Sequence, residues 1–162
     1  MVSKAPYKIV GISGSTRVGS TNTALIRLIG ELAPKDRVAS VEIVDYRGIP
    51  VFDGDDEADF GVPEKVKIIG EKIKEADAVY ISTPEYNLSV SSPLKNVLDW
   101  ISRLEGSPFK GKPVAIASVS AGGSGGLRAQ YELRKILLYT QAHVLGLPEL
   151  SISENYKKFD KF

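Results

Sequence analysis

The chain has 162 residues, with 21 Lys and Arg against 20 Asp and Glu; the formal charge of +1 offers no strong attraction to nucleic acid or an anionic membrane. The lack of cysteine excludes disulfides, Fe–S clusters, thiolate metal sites and thiol nucleophiles, and the single histidine, His143, excludes a His-based metal cluster. One domain spanning residues 1–162 suits this length, no apolar run approaches the ~20 residues of a membrane span, and "MVSKAPYKIV" lacks the apolar segment of a signal peptide, so a soluble cytoplasmic protein acting on small molecules is expected.

Short β-rich runs alternate with segments of helical period. The first strand is expected over Tyr7 to Ile12, followed by the loop "SGSTRVGST" and a helix near Thr21 to Leu32 with Leu25, Leu28, Ile29 and Leu32 on one face. A second strand, "VEIVD", ends at Asp45. The acidic, Gly-containing stretch "YRGIPVFDGDDEADFGVP" reads as a solvated, mobile loop that closes with Pro63 in the first turn of the next helix, whose core positions are Val66, Ile69, Ile73 and Ala76. The third strand "AVYIS" runs into "TPEYNLSVSSP" and a helix carrying Leu94, Val97, Leu98 and Ile101. The fourth strand "VAIASVS" runs into "AGGSGG" and a helix with Leu133, Ile136, Leu137 and Thr140 on one side. A last strand lies near Ala142 to Leu147 or Leu150 to Ile152, and the tail "SENYKKFDKF" is short and polar.

Apolar strands with intervening helices specify an α/β protein whose parallel sheet is covered on both faces. Five strands in this alternation suggest a flavodoxin-like three-layer sandwich of order 2-1-3-4-5, in which ligands sit at the carboxyl ends of the strands beside the switch point. Three loops fall at that edge. The first, "GSTRVGST", is a phosphate loop with Ser20 where the lysine of a P-loop would stand. Free N–H groups and the half charge of a helix N-terminus, with Arg17, give roughly +1.5, which suits a phosphate monoester of about −1.5 to −2 and suits a Mg-triphosphate poorly. Ser15, Ser20, Thr21 and Asn22 add side-chain donors, and Gly14 and Gly19 admit close backbone approach. The glycines do not fit a dinucleotide fingerprint, which leaves Asp45 a weak candidate for a ribose-binding acid.

The second loop places Pro84, Glu85, Tyr86 and Asn87 at the end of a central strand, and the third exposes backbone N–H groups through Gly122 and Gly123 beside Ser120. Each loop also has a plainer reading: a capped helix start, a solvated turn and a flexible connection. A phosphate at one end and a flat polar ring at the other would use all three, and flavin mononucleotide (FMN) has that shape. "SVSAG" is one residue from the nucleophile elbow of serine hydrolases, with Ser120 as nucleophile, but the acid would have to be Glu132 inside a helix and the base His143 on an apolar strand.

At "GSTRVGSTN", "TPEYNLSVSSPLKNVLDW" and "GLRAQYELRKIL" the sequence resembles the NADPH-dependent FMN reductase family, which includes chromate and quinone reductases and azoreductases. The resemblance implies that Ser15, Arg17, Ser20 and Asn22 hold the FMN phosphate. It implies that Pro84, Glu85, Tyr86 and Asn87 line the isoalloxazine ring, largely through backbone, and that Ser120, Gly122 and Gly123 meet its pyrimidine edge. NADPH or NADH would pass hydride to the flavin, and a quinone, flavin, azo compound or metal oxyanion such as chromate would collect it in a ping-pong cycle; no side chain is expected to be catalytic and no metal is implied. Arg128, Tyr131 and Glu149 match a polar network at a subunit interface, which implies a homodimer or homotetramer. A flavodoxin-type electron carrier or a flavin-binding sensor shares the fold, although such carriers tend to be strongly acidic. Two departures stand out: Ser91 occupies a position where the family usually has proline, altering the start of that helix, and a final helix of the family is missing or shortened. Its absence is expected to leave the face near strands 1 and 2 partly bare.

Overall fold

The computed structural model describes residues 6–159; residues 1–5, where the N-terminal stretch read for a signal segment begins, and residues 160–162 lie outside them. A parallel sheet has the order β2-β1-β3-β4-β5, from β1 (Tyr7–Ser13), β2 (Val38–Ile43), β3 (Ala78–Thr83), β4 (Pro113–Val119) and β5 (His143–Val144). A sixth strand, β6 (Leu150–Ile152), also pairs with β4. Both candidate segments for the last strand therefore form: β5 pairs with the start of β4 through Pro113 and Val114, and β6 pairs with its end through Ala117 to Val119. The fifth strand position is shared by two short strands, where one was expected.

One face of the sheet carries most of the core. Val10, Ile12, Val79, Ile81, Val114 and Ile116 point into it, under α3 (Glu64–Glu75), α4 (Ser92–Ser102) and α5 (Leu127–Tyr139). These alternate positions along the strands are those a pleated sheet sends to one side. The other face meets α1 (Thr21–Leu32), with Leu25 and Ile29 against Ala117, Val119 and Tyr80. α1 sits very close to the sheet because Gly11 has no side chain: a β-carbon there would lie 2.6 Å from Ile26 Cγ2. No residue of β2 is buried and Ile9 of β1 is only partly so, and the thinner cover extends to Ala78 and Tyr80 of β3 and Ala115 of β4.

The stretch after β2 corrects the expectation of a mobile loop. It contains α2 (Gly54–Phe60), started by the Asp53 carboxylate, which accepts from the Asp55 N–H at 2.8 Å, and by three acids in its first turn. Such acids are stabilising at the positive end of a helix dipole, so the composition that suggested a solvated loop is that of a helix start. The preceding residues are stitched to α4. Asn96 Nδ2 and Trp100 Nε1 both donate to the Pro50 carbonyl, at 2.8 and 2.9 Å, and the Phe52 N–H donates to Asn96 Oδ1 at 2.8 Å. The Phe52 and Trp100 rings meet edge to face at 4.9 Å. Pro63 stands at the N-cap of α3, one residue before the helical position expected for it.

Candidate active site

The carboxyl ends of β1, β3 and β4 open onto a cleft of about 680 Å³, within the range usual for small-molecule sites. Ser15, Arg17, Ser20, Thr21 and Asn22 line one end, and Pro84, Glu85, Tyr86 and Ser120 line the other. Nine of the twelve cofactor-binding residues expected from sequence thus share one cavity. The other three sit off its wall.

The first loop is held rigidly. The Gly14 N–H donates to the Ser82 carbonyl at 2.7 Å, the Tyr46 hydroxyl donates to the Ser13 carbonyl at 2.6 Å, and Thr23 Oγ1 lies 2.8 Å from Ser13 Oγ. Burial pushes the Tyr46 phenol well above its ordinary range, so it stays a neutral donor. A β-carbon at Gly14 would lie 2.7 Å from Thr83 Oγ1 and 2.9 Å from Thr83 Cα; this glycine lets two loops of the protein approach each other, where closeness to a ligand was expected. The Ser91 hydroxyl donates to the Gly14 carbonyl, and Ser91 is the N-cap of α4, accepting from the Leu94 N–H at 3.4 Å. Ser91, expected to alter the start of this helix, therefore caps it and fastens the first loop to it.

Ser20 is the N-cap of α1 and accepts from the Thr23 N–H at 3.3 Å, which leaves the first-turn N–H groups without helical partners. Arg17 is exposed, and its guanidinium forms no ion pair with any described residue. Asn22 is buried, and its amide is largely committed: Oδ1 accepts from Ser82 Oγ at 2.8 Å and the Val119 N–H at 3.0 Å, and Nδ2 donates to the Val119 carbonyl at 3.0 Å. Three of its four hydrogen-bonding capacities thus pin α1 to β3 and β4, leaving one N–H uncommitted.

In the second loop, Glu85 is nearly buried and accepts from the Arg128 backbone N–H and from Arg128 Nη1, both at 3.1 Å. Its carboxylate caps the N-terminus of α5, so the side chain is engaged in structure. Tyr86 and Ser89 exchange backbone hydrogen bonds at 2.9 and 3.0 Å around a tight turn whose middle residues, Asn87 and Leu88, have φ of 49° and 66°. Both signs match a type I′ turn, and that geometry carries Asn87 off the cleft wall.

The glycine run of the third loop divides. Gly125 and Gly126 have positive φ, and a β-carbon on either would lie 2.9 Å from Ile152 or Ser118 atoms. Gly122 and Gly123 face open space and are exposed, outside the cavity wall. Ser120 is held by the chain's last segment: its N–H donates to the Ile152 carbonyl at 3.0 Å, and its carbonyl accepts from the Asn155 N–H at 3.3 Å. A hydrolytic triad is excluded by the topology. His143 pairs with Pro113 at the start of β4 and Ser120 follows its end, about 23 Å along the strand at ~3.3 Å per residue, while Glu132 pairs with Lys135 at 2.7 Å.

Gly19, Val119, Ala121, Asn155, Tyr156 and Phe159 complete the wall. Asn155, Tyr156 and Phe159 belong to the tail read as merely polar. Asn155 Nδ2 donates to Thr21 Oγ1 at 3.1 Å, closing the cleft between the start of α1 and the end of the sheet. At the expected interface, Arg128 is engaged with Glu85, and the Glu149 carboxylate beside the Tyr131 hydroxyl holds that phenol above its usual pKa.

A cationic cradle at a helix start, opposite a wall of backbone and aromatic faces, fits a phosphate monoester attached to a planar ring. Among the described residues the only carboxylate on that wall, Glu85, is neutralised by Arg128. This fold and cleft define a flavodoxin-like, FMN-binding oxidoreductase. The model of the NADPH-dependent FMN reductase family matches residues 7–157. The chain is 44% identical over 153 residues to an NAD(P)H-dependent FMN reductase of Pseudomonas aeruginosa, covering 94% of this chain and 81% of that one. It is 43% identical over 145 residues to a quinone reductase of Escherichia coli, covering 88% and 75%. Among solved structures, a flavoenzyme NAD(P)H:acceptor oxidoreductase of Paracoccus denitrificans superposes with a TM-score of 0.79 at 32% identity, over 89% of this chain and 78% of that one. The chain belongs to the NADPH-dependent FMN reductase family, and with it to the enzymes that pair FMN with NAD(P)H.

Proposed function

We propose that this protein oxidises NADPH or NADH and passes the electrons to a small acceptor, of which quinones, free flavins, azo compounds and metal oxyanions such as chromate are the candidate classes. The observation that carries the reading is the convergence of three loops on one cleft with Arg17 at one end and backbone at the other. Ser15, Arg17, Ser20 and Thr21, with the first-turn N–H groups of α1, would hold the FMN phosphate, and Asn22 would fix the loop geometry beneath it. The backbone of Pro84, Glu85 and Tyr86 and of Ser120 would border the ring. Bound FMN supplies the hydride-accepting and hydride-returning chemistry, and the protein supplies position and field. Tyr86 and Tyr156 stand 43% and 66% exposed on the wall, so donor and acceptor would share one open approach and use it in turn. This is the basis for a ping-pong cycle. The family's quinone reductase from Escherichia coli supports a quinone as acceptor.

The same reading assigns Arg128, Tyr131 and Glu149 to a surface between subunits of a homodimer or homotetramer. The experiment is the absorbance spectrum of the purified protein, followed by anaerobic addition of NADPH and then of a quinone. Flavin bands that bleach promptly and return with the quinone, with parallel double-reciprocal plots, are expected. Bands that stay oxidised after NADPH would reduce the protein to an electron carrier, and intersecting plots would remove the ping-pong cycle.

A further inference from the structure

Another cavity, of about 190 Å³, opens at the opposite end of the sheet from the larger cleft, where α4 and α5 finish beside the starts of β4 and β5. Ile101 and Ser102 of α4, the turn from Ser107 to Phe109, and Tyr139 to Gln141 at the end of α5 line it. Ile101 and Phe109 are buried and give it an apolar side. The polar side offers acceptors. Ser102 Oγ donates to the Asp99 carbonyl at 2.6 Å and Thr140 Oγ1 donates to the Leu137 carbonyl at 2.8 Å, so both hydroxyls have spent their protons on their own helices and keep lone pairs for a ligand. Neither helix carries a basic residue in its last turn, so the negative ends of two dipoles, about half a charge each, meet the cavity. None of the described residues that line it is charged. Arg103, which follows Ser102, is turned to Glu57, with Nε 2.8 and 2.9 Å from the two carboxylate oxygens. The walls are fixed in advance: Ser107 and Gln141 hold φ of 44° and 59°, left-handed values unfavourable for residues that carry a β-carbon. Backbone bonds keep them there, from the Lys110 N–H to the Ser107 carbonyl at 2.8 Å and from the Gly111 N–H to the Gln141 carbonyl at 2.9 Å.

We infer that this cavity is a binding site for a small organic cation, a single ring that carries an ammonium group on a short arm. A cavity of about 150 Å³ holds benzene, so this one suits one ring with one short substituent and is too small for a nucleotide or a flavin. The ring lies against Ile101 and Phe109, and the ammonium, which has donors and no acceptor, meets the spent hydroxyls of Ser102 and Thr140 at the two helix ends. Phe109 and Tyr139 supply ring faces of the kind that attract a cation. An anion is disfavoured by the same helix ends, and a purely apolar ring leaves the polar side without a partner. The site shares no residue with the cleft assigned to FMN, so its occupant takes no part in the flavin's chemistry.

The test is calorimetric titration of the purified protein, as isolated and at neutral pH, with benzylamine, benzyl alcohol and benzoate, three ligands of one shape and different charge. Benzylamine is expected to bind with a Kd of about 0.1–1 mM, roughly tenfold more tightly than benzyl alcohol, and benzoate is expected not to bind. Ser102→Leu puts a strong helix former at the end of α4 and fills the cavity, and should abolish binding of the amine. Ser102→Ala removes one acceptor and keeps the space, and should narrow the gap between amine and alcohol severalfold. If Ser102→Leu does not fold, the alanine variant decides alone. No measurable binding of benzylamine, equal affinity for the three ligands, or a preference unchanged by the substitutions overturns the proposal. So does release of bound flavin in step with the titration, which would put the amine in the larger cleft.

Discussion

Arg17 is the residue on which the larger cleft depends most. It is the one cation among the described residues that line that wall, and no described acid competes for it. Arg17→Ala should therefore weaken FMN binding by roughly tenfold to a hundredfold, the range of one charged hydrogen-bonded contact, measured as flavin absorbance per protein after dialysis. Far-ultraviolet dichroism should be unchanged, because the side chain holds no part of the fold. Its place in the cleft was legible in the sequence: a glycine-bounded loop with one arginine, between a strand and a helix, falls at the carboxyl end of the sheet. Asn22 was expected to hold the FMN phosphate, and its structural ties were not legible. Its bonds to Ser82 and Val119 reach residues 60 and 97 positions away, and a side chain's partners at that separation leave no local mark. Asn155, Tyr156 and Phe159 were missed for the same reason, since nothing adjacent to them signals that the tail returns to the cleft.

Among the elements, β6 is the one most exposed to a single substitution. It is three residues long, and Gln130 of α5, which is buried, ties it down: Nε2 donates to the Leu150 carbonyl at 2.9 Å and to Ser118 Oγ at 2.7 Å. The Oε1 atom of the same amide is buried without a partner among the described residues. Gln130→Leu removes that orphan but strands two acceptors, so a net loss of about 1–2 kcal/mol is expected by urea denaturation. Hydrogen exchange should accelerate at Leu150 to Ile152 and leave the centre of β3 protected. The strands β1, β3 and β4 were readable from their apolar runs because they are buried on both faces. α2 was not read, although Asp53 followed by Asp55, Asp56 and Glu57 is a helix-start pattern; the acidic composition was weighed as solvation instead.

For the whole molecule, the outer side of α5 and the segment after it present Tyr131, Leu138, Tyr139, Leu145 and Leu147, between 49% and 80% exposed. These apolar groups adjoin the Tyr131 and Glu149 pair and suit burial against a second copy. Leu138→Arg should shift the protein to monomer by light scattering at micromolar concentration, with a thermal midpoint that falls by several degrees. A monomeric wild type would remove the expectation.

The bond from Asn155 to Thr21 spans 134 residues, so closing it means closing a loop of nearly the full described chain. Contacts of such separation form late, because the entropy of bringing their ends together is recovered only once the intervening structure exists. The last wall of the cleft is then absent from the folding transition state, and so is any grip on the cofactor that needs it. FMN in the refolding buffer should leave the folding arm of a chevron plot where it is and slow the unfolding arm by the full factor of its binding. The cofactor would act as a brake on the way out of the native state and have no part in the way in.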